Sequence, residues 1–599
     1  MVQIVSEPVL VAIPTTGNLT DHVEENADLF PHHASFVREI DHEWQPVTAT
    51  EFRDTVRAVA KGLIADGIQA GDRVAIYSRT RYEWTVADYA IWYAGAITVP
   101  IYETSSPEQV AWIMSDAAVV ATFFESPHVL ATFDEVASTL PNMTSRYVFT
   151  EDTLNALAIR GSEISDEALD TRRSLANPED TATLIYTSGT TGNPKGCILS
   201  HRNFMTECDN LVASLPEIFN TTGASTLLFL PLAHVFGRAI QLAMFRGRVT
   251  IGHCPNPSAL LKQLQSMQPT FLLAVPRVFE KVFNGASSKA HEESPIKGKI
   301  FDWAASISIK FSEAIDQGRI PVLLSIQHKL CDRLVYSKLR AAMGGRVTHA
   351  ISGGASLGAR LGHFYRGLGL IVLEGYGLTE TSAGAVLNRP SGLKIGSVGR
   401  PVPGVSVAIA DDGEILLQGP NIFEGYWQNI HATLEVFSSD GWFHTGDIGS
   451  FDQDGFLTIT GRKKEILVTA GGKNVAPAVL EDRLRANPII SQCVVVGDGK
   501  PFIGALVTLD QEALPGILSA HHIASAPIDQ LTDDSEVRAL VQEAINDANK
   551  AVSNAEAIKK FVILPTDLTI DNGYLTPKLS IKRHLVTLDF AKEIESLYQ

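Results

Sequence analysis

The sequence contains few cysteines. There are 5 in 599 residues, and no two of them form a C-x-x-C pair. An odd number without this spacing excludes a disulfide framework and gives no zinc motif. We therefore expect five buried core thiols, which are Cys197, Cys208, Cys254, Cys331 and Cys493.

Positive charge is also scarce. Lysine and arginine number 49 against 67 aspartates and glutamates, which gives a net charge of −18. A nucleic-acid partner needs a basic surface for its phosphates, so this class of function is excluded. Two short basic clusters, residues 462–464 and 578–583, are interpreted as solvated faces. Any membrane contact is expected to be weak, peripheral and local.

No hydrophobic run is long enough to cross a membrane. The longest weakly polar stretch, residues 89–102, is shorter than the roughly 20 residues that a spanning helix needs, and it is predicted to be a buried core element. The start, MVQIVSEPVL, has no basic segment and acquires Glu7 at once, unlike a signal or transit peptide. The expected location is the cytoplasm, at most peripheral to the inner face of the membrane.

The stretch YTSGTTGNPKG, residues 186–196, concentrates hydroxyl groups, glycines and one lysine. Glycines let the backbone turn tightly around an anion, hydroxyls donate hydrogen bonds and the lysine supplies charge. An ordinary surface turn of the same composition is the alternative. The predicted phosphate-binding residues are Thr187, Ser188, Gly189, Thr190, Thr191, Gly192 and Lys195.

This Gly/Thr loop does not have the Walker A spacing, G-x-x-x-x-G-K-[ST]. Gly189 and Gly192 are too close together, and no serine or threonine follows Lys195. Residues 182–186 predict a strand that leads into the loop, and a helix is expected from Asn203 onward. The sequence therefore indicates a nucleotide enzyme outside the P-loop class.

A second polar segment, EGYGLTET at 374–381, follows a hydrophobic run at 368–373 that is predicted to be a buried strand. The carboxyl end of a strand is a common ligand site. There Tyr376 can stack on a base, Thr379 can bond a phosphate oxygen and Glu380 can hold Mg²⁺, which prefers oxygen ligands.

A third polar segment covers residues 440–466. Its Asp447 carboxylate suits two neighbouring ribose hydroxyls. Arg462 follows later in the segment, and a hairpin between them would bring the two side chains together.

These three segments, in this order, resemble the signatures of the adenylate-forming superfamily, which includes acyl-CoA synthetases, adenylation domains of peptide synthetases and firefly luciferase. The resemblance covers nearly the whole chain. Residues 440–477 are similar to the signature of long-chain fatty-acid–CoA ligases, as are PLAHVFGR at 231–238 and VPRVFEKV at 275–282. The mainly helical-looking stretch 285–339 is also typical of that branch.

The resemblance implies a reaction in two steps. A carboxylate attacks the α-phosphorus of ATP, giving acyl-adenylate and pyrophosphate, and the thiol of CoA then displaces AMP. It also implies that the Gly/Thr loop holds the β- and γ-phosphates, that Glu380 holds the metal, and that other residues frame adenine, ribose and α-phosphate. These are Gly353, Gly354, Ala355, Tyr376, Gly377, Thr379, Asp447 and Arg462.

The resemblance assigns further roles. His234 closes one side of the carboxylate-binding region, with a satisfied core histidine as the alternative. Lys464 is the hinge about which a small C-terminal domain swings between the two steps. Arg277 and Glu280 are interpreted as an ordinary surface pair on a helix, not as catalytic residues. The residues implied to lie near the pantetheine of CoA are Gly471, Gly472 and Lys473.

The C-terminal segment TPKLSIKR departs from the family pattern. The family's adenylation lysine stands three residues after a proline, and here that place holds Ser580. Lys578 and Lys582 flank it, and all three positions share one face if the segment is extended. Lys582 is the preferred catalytic lysine, and Lys578 is the alternative.

Length and resemblance together predict an α/β fold, with a large multi-subdomain N-terminal region of mixed sheets and packed helices and a small mobile α+β C-terminal domain. The expected bounds are 1–461 for the AMP- and fatty-acid-binding region, 462–464 for the hinge and 465–599 for the C-terminal domain. The predicted enzyme is a long-chain fatty-acid–CoA ligase using ATP, Mg²⁺ and CoA. Two alternatives stay open: transfer of the acyl group to a carrier protein, and a catalytically weak fatty-acid or acyl-adenylate binding protein.

Overall fold

The computed structural model of the protein describes residues 3–140, 143–150, 152–187, 193–576 and 580–599. Six of the predicted site residues lie outside these ranges. They are Ser188, Gly189, Thr190, Thr191, Gly192 and Lys578.

The described residues form strands along the whole chain. The first are β1 (Gln3–Ser6), β2 (Ala34–Ile40), β3 (Glu43–Thr48), β4 (Arg73–Tyr77), β5 (Ile97–Ile101), β6 (Val119–Phe124), β7 (Ser145–Val148), β8 (Thr181–Thr187) and β9 (Lys195–Ser200). Then follow β10 (Ser225–Leu228), β11 (Thr250–His253), β12 (Phe271–Ala274), β13 (His349–Ser352), β14 (Ile371–Tyr376), β15 (Val386–Leu387), β16 (Arg400–Pro401), β17 (Ser406–Ile409) and β18 (Glu414–Gln418). The last are β19 (Gly425–Tyr426), β20 (Phe443–Phe451), β21 (Leu457–Arg462), β22 (Leu467–Val468), β23 (Asn474–Val475), β24 (Ile490–Val496), β25 (Ile503–Leu509) and β26 (Ile558–Ile563).

Helices lie between and around these strands. The first are α1 (Asp21–Leu29), α2 (Ala49–Ala65), α3 (Tyr82–Tyr93), α4 (Pro107–Asp116), α5 (Pro127–Asp134), α6 (Thr153–Arg160), α7 (Asp166–Arg173) and α8 (His201–Ser214). Then follow α9 (Pro216–Phe219), α10 (Val235–Arg246), α11 (Leu260–Met267), α12 (Pro276–Glu293), α13 (Pro295–Asp316), α14 (Val322–Cys331), α15 (Ser337–Ala342) and α16 (Ala359–Gly367). The last are α17 (Ile430–Val436), α18 (Pro477–Arg485), α19 (Leu514–Ala520), α20 (Ile528–Leu531), α21 (Ser535–Asn549), α22 (Arg583–Asp589) and α23 (Ala591–Ser596).

The strands build mixed sheets, which confirms the predicted α/β class. A nine-stranded sheet has the order β16-β15-β14-β13-β12-β10-β11-β2-β3, and its strands β10 to β14 pair in parallel. A seven-stranded sheet has the order β19-β9-β8-β5-β4-β6-β7. An antiparallel sheet has the order β1-β17-β18-β20-β21. The strands after β21 form a two-stranded sheet, β22-β23, and a three-stranded sheet, β24-β25-β26. Strands β10 and β12 are buried throughout, and β12 is a continuous apolar run, as is common in parallel strands covered on both faces.

Most local predictions are confirmed, with three corrections. Residues 89–102 are buried, but they form the end of α3 and then β5, since Gly95 turns the chain with a positive φ of 72°. The strand predicted at 368–373 begins at Ile371, because α16 continues to Gly367 and Gly369 turns with a φ of 98°. Strand β9 was missed between the Gly/Thr loop and helix α8. All five cysteines are buried and form no disulfide, as predicted.

Buried apolar residues form separate cores. Three clusters use residues between Leu19 and Leu457, and two use residues between Val475 and Leu597. Within the described part of the chain, no helix has both the length and the apolar character needed to cross a membrane.

Candidate nucleotide-binding site

Four neighbouring parallel strands of the nine-stranded sheet end at one edge, and each is followed by a segment singled out in the sequence. In sheet order, β14 leads into EGYGLTET, β13 into the loop at 353–355, β12 into VPRVFEKV and β10 into PLAHVFGR. The carboxyl ends of parallel strands are where α/β proteins bind ligands, because loops from several strands converge there. The topology therefore gathers distant segments at one site.

The Asp447 carboxylate is held by two other predicted residues. The Tyr376 hydroxyl donates to Asp447 Oδ2 at 2.7 Å, and Arg462 Nε lies 3.1 Å from Oδ1. Strands β20 and β21 form the predicted hairpin and place Asp447 directly opposite Arg462. Burial raises the pKa of Asp447, while the charge of Arg462 and the bond from Tyr376 oppose that rise. A fixed acceptor of this kind suits ribose hydroxyls.

A second group of contacts connects Lys195 with Glu380 through an aromatic ring. The ammonium of Lys195 lies 5.1 Å from the ring centroid of Tyr426, within cation–π distance. The Tyr426 hydroxyl donates to Glu380 Oε1 at 2.8 Å. Sequence reasoning missed Tyr426, because 46 residues separate it from Glu380 and no motif connects the two.

The Gly/Thr loop joins two paired strands. Thr187 of β8 lies opposite Lys195 of β9, so the intervening residues connect the ends of an antiparallel pair. Thr379 is buried in a short 3-10 turn, Thr379–Thr381, directly after β14. The backbone N–H of Phe423 donates to the Glu380 carbonyl oxygen at 2.8 Å and fixes this turn beside β19.

The segments 231–238 and 353–355 touch each other. A Cβ on Gly353 would lie 3.0 Å from the ring of Phe236, so a larger residue would have to displace that ring. His234 caps α10, with Nδ1 accepting from the Phe236 N–H at 3.0 Å. Gly354 has a φ of 83°, which glycine adopts without strain. Ala355 follows it as an exposed residue of the same loop.

A magnesium ion fits one carboxylate here. Among the described residues, no group of three or more His, Cys, Asp or Glu side chains could hold a metal by itself. Mg²⁺ usually keeps several waters and binds through one or two carboxylates plus substrate phosphates. Glu380, fixed by Tyr426 on the segment that follows β14, meets that requirement.

The predicted residues of the C-terminal part are not brought to this site. Lys464 is exposed in the 3-10 turn Lys463–Glu465, which directly follows Arg462. Lys473 follows Gly471 and Gly472 in the exposed turn between β22 and β23, and its ammonium lies 3.3 Å from Glu556. Within the described ranges, no hydrogen bond or ion pair joins these side chains to the nucleotide residues.

Lys578 lies outside the described residues, so the face shared by Lys578, Ser580 and Lys582 stays a prediction. Leu575 and Ile581 pair across an antiparallel bridge, and the Thr576 N–H donates to the Ser580 carbonyl oxygen at 2.8 Å. These contacts hold Leu575 and Thr576 close to Ser580 and Ile581. Lys582 directly precedes α22, and its assignment as the adenylation lysine stays a prediction.

Arg277 and Glu280 are more than a local surface pair. Their side chains lie 3.3 Å apart, as expected from the spacing. Arg277 also lies 3.2 Å from Asp510, and the next residue pair, Lys281 and Glu512, is 3.1 Å apart. Helix α12 therefore carries a charged contact to the C-terminal part, which local spacing on one helix could not reveal.

These features together define an α/β nucleotide-binding enzyme. Loops from four parallel strands meet at one edge, and Arg462 and Tyr376 hold a carboxylate suited to ribose. Tyr426 connects Lys195 with Glu380.

The chain belongs to the AMP-binding enzyme family, in its long-chain fatty-acid–CoA ligase branch. The AMP-binding enzyme model matches residues 23–427, and the AMP-binding enzyme C-terminal domain model matches residues 464–599. The long-chain-fatty-acid–CoA ligase FadD15 of Mycobacterium bovis is 49% identical over 598 residues, which cover 98% of this chain and 99% of that relative.

Solved structures share the fold. The anthranilate CoA ligase AuaEII in complex with anthranoyl-AMP aligns with a TM-score of 0.71 and 18% identity, over 97% of this chain and 98% of that one. A Mycobacterium tuberculosis fatty acyl CoA synthetase aligns with a TM-score of 0.63 and 20% identity, over 96% of this chain and 98% of that one. The likeness at these identities concerns the fold alone.

Proposed function

We propose that the protein activates a long-chain fatty acid with ATP, forms the acyl-adenylate with release of pyrophosphate, and transfers the acyl group to CoA with release of AMP. The observation that carries this proposal is the Asp447 carboxylate, held between Tyr376 and Arg462 at the edge where four parallel strands end. The name of the relative with 49% identity supports a long-chain acid as substrate.

The first step displaces pyrophosphate from the α-phosphorus, so negative charge on the phosphate oxygens must be neutralised. The predicted roles give the β- and γ-phosphates to Lys195 and the hydroxyls of the Gly/Thr loop, and the α-phosphate to Thr379. Glu380 would hold Mg²⁺, which supplies further positive charge. Asp447 would accept from both ribose hydroxyls. The loop at 353–355 would frame adenine with Tyr376 against its face, and Gly377 would be a further nucleotide-binding residue.

The second step needs a different set of groups. His234 ends the turn before α10 and would close the carboxylate side of the site. Residues 471–473 and Lys582 belong to the C-terminal part. Lys582 would have to approach the nucleotide in the first half-reaction, and residues 471–473 in the second. A swing about Lys464 meets this need. Hydrophobic cores that divide between Leu457 and Val475 support the bounds 1–461, 462–464 and 465–599.

The proposed setting is the cytoplasm, with peripheral contact to the inner face of the membrane. Five buried cysteines without a disulfide suit a reducing compartment. Transfer to a carrier protein is the second candidate acceptor reaction, and CoA is preferred because the relatives are named CoA ligases.

The test is incubation with Mg²⁺, ATP and a ladder of fatty acids, with and without CoA, followed by mass spectrometry of every product. Acyl-CoA and AMP together support the proposal, and Asp447→Asn should abolish most of both. Asp440→Asn, at an exposed aspartate, is the matched control. Adenylate without thioester would favour a carrier protein as acceptor, and ligand binding without pyrophosphate release would favour the binding-protein alternative.

A further inference from the structure

Helix α14 and the turn that follows it expose a row of aliphatic side chains. Val322 is 77% exposed, Leu323 67%, Ile326 61%, Leu330 49% and Leu334 41%. Side chains at these spacings lie along one side of a helix. Single exposed aliphatic residues are ordinary on proteins, but a contiguous row marks an interaction surface.

The opposite face of the same segment is fixed to the body of the protein. The ring of His328 stacks on Phe311 with centroids 3.8 Å apart, and Nε2 donates to the Gly367 carbonyl oxygen at 2.6 Å. The Tyr336 hydroxyl donates to the Ala304 carbonyl oxygen at 2.6 Å. The aliphatic row therefore belongs to an anchored helix, and its exposure is not that of an unpacked end.

The charges beside the row are mainly positive. Residues 317–340 contain a single carboxylate, Asp332, and its oxygen lies 2.7 Å from Arg340. The other cations of this stretch are Arg319, Lys329, Arg333 and Lys338, and all four are exposed. A local positive surface on a chain of net charge −18 is the reverse of the molecule's average, so it attracts anionic partners.

We infer that the α14 surface, defined as the aliphatic row with Arg319, Lys329 and Arg333, docks the protein on an anionic lipid bilayer. The aliphatic side chains enter the boundary between headgroups and acyl chains, while the cations contact lipid phosphates. A second copy of this chain fits less well. A two-fold contact centred on the row would gather the cations of both copies, and the carboxylate of this stretch, Asp332, is already paired with Arg340.

This inference uses exposure and charge alone. It rests on the proposed function in that it names the surface for the proposed peripheral membrane contact, which would place the enzyme where insoluble long-chain acids are dissolved. Lipid binding and the reaction are therefore measured separately.

The experiment is sedimentation of the full-length protein with vesicles, without ATP, fatty acid or CoA. One vesicle set contains phosphatidylcholine only, and the other contains phosphatidylcholine with phosphatidylglycerol. Wild type should bind the anionic set and lose binding as salt rises. Leu323→Ser with Ile326→Ser, and separately Lys329→Gln with Arg333→Gln, should each weaken binding about tenfold. Ile159→Ser, at a residue 73% exposed on α6, is the control and should bind as wild type does.

Adenylation of a short, water-soluble fatty acid should be unchanged in all three variants, because none of these residues belongs to the nucleotide site. Absence of binding by wild type, or unchanged binding by both double variants, would overturn the inference. Loss of a dimer in the aliphatic variant with unchanged vesicle binding would instead assign the row to self-association. Vesicle binding by a protein that forms no adenylate would contradict the proposed function while leaving the docking surface in place.

Discussion

The guanidinium of Arg238 forms an ion pair with the carboxylate of Asp88, and neither side chain is exposed to solvent. Arg238 belongs to the segment PLAHVFGR at the start of α10, and Asp88 belongs to α3. Thr183 of β8 accepts from Arg238 at 2.6 Å, and Thr98 of β5 donates to Asp88 at 2.7 Å. The pair thus joins a helix beside the nucleotide site to the strand that leads into the Gly/Thr loop.

Removal of one charge from this pair should destabilise the protein strongly. Asp88→Asn leaves the Arg238 guanidinium buried without a counter-charge, which costs about 3–5 kcal/mol in comparable sites. Urea unfolding should show a lower midpoint for this variant. Asp54→Asn, at an exposed aspartate of α2, is the control and should change the free energy of unfolding little. An unchanged midpoint in Asp88→Asn would mean that the pair contributes no net stability.

Tyr376→Phe should weaken nucleotide binding without loss of the fold. The variant removes the hydroxyl that donates to Asp447 Oδ2, a bond to a charged group worth about 1.5–3 kcal/mol. We expect KM for ATP to rise roughly tenfold or more, since 1.4 kcal/mol corresponds to a factor of ten. KM for the fatty acid should stay the same. A rise in KM for the acid alone would move Tyr376 out of the ribose site.

Glu207 should make stability depend on pH. Burial raises its pKa to about 8, although the nearby Gly384 backbone and Asn421 side chain oppose the rise. Both N–H groups of Asn421 donate to backbone oxygens, those of Thr381 and Gly384. Its buried Oδ1 has no partner within the described residues. A proton on Glu207 would give this oxygen a donor.

The sign of the pH effect follows from the raised pKa. The folded protein keeps the Glu207 proton up to about pH 8, whereas the unfolded chain releases it near the ordinary value of 4.5. This contribution to stability is full below about pH 4.5 and is lost as pH rises toward 8. Glu207→Gln should remove that loss and gain on the order of a few kcal/mol over wild type near pH 8. Parallel pH curves for wild type and variant in chemical unfolding would contradict the raised pKa, and Glu435→Gln at an exposed site is the control.

Residues that lie close together in the chain were predictable, and those joined across the fold were not. The pairing of Asp447 with Arg462 follows from a hairpin within one segment. By contrast, Tyr426 meets Glu380 only because β19 pairs with β9, and Arg277 meets Asp510 only because two distant parts pack together. The burial of Arg238 depends likewise on its partner in α3. Local pattern determines such elements and motifs, while the tertiary arrangement determines these contacts.

Lys582→Ala should separate the two half-reactions. Lys582 lies in the C-terminal part, directly before α22, and makes no described side-chain contact with the nucleotide residues. If it supplies the adenylation charge after a swing about Lys464, its loss should slow adenylate formation at least a hundredfold, as loss of one preorganised charge does in comparable sites. Conversion of supplied acyl-adenylate and CoA to thioester should stay near the wild-type rate, because that step would use the opposite face of the domain. Lys578→Ala is the matched control. Equal slowing of both steps, or slowing in Lys578→Ala only, would assign the adenylation role to another residue.

Lys464→Pro should impair the change between the two half-reactions, because proline restricts the backbone of the hinge.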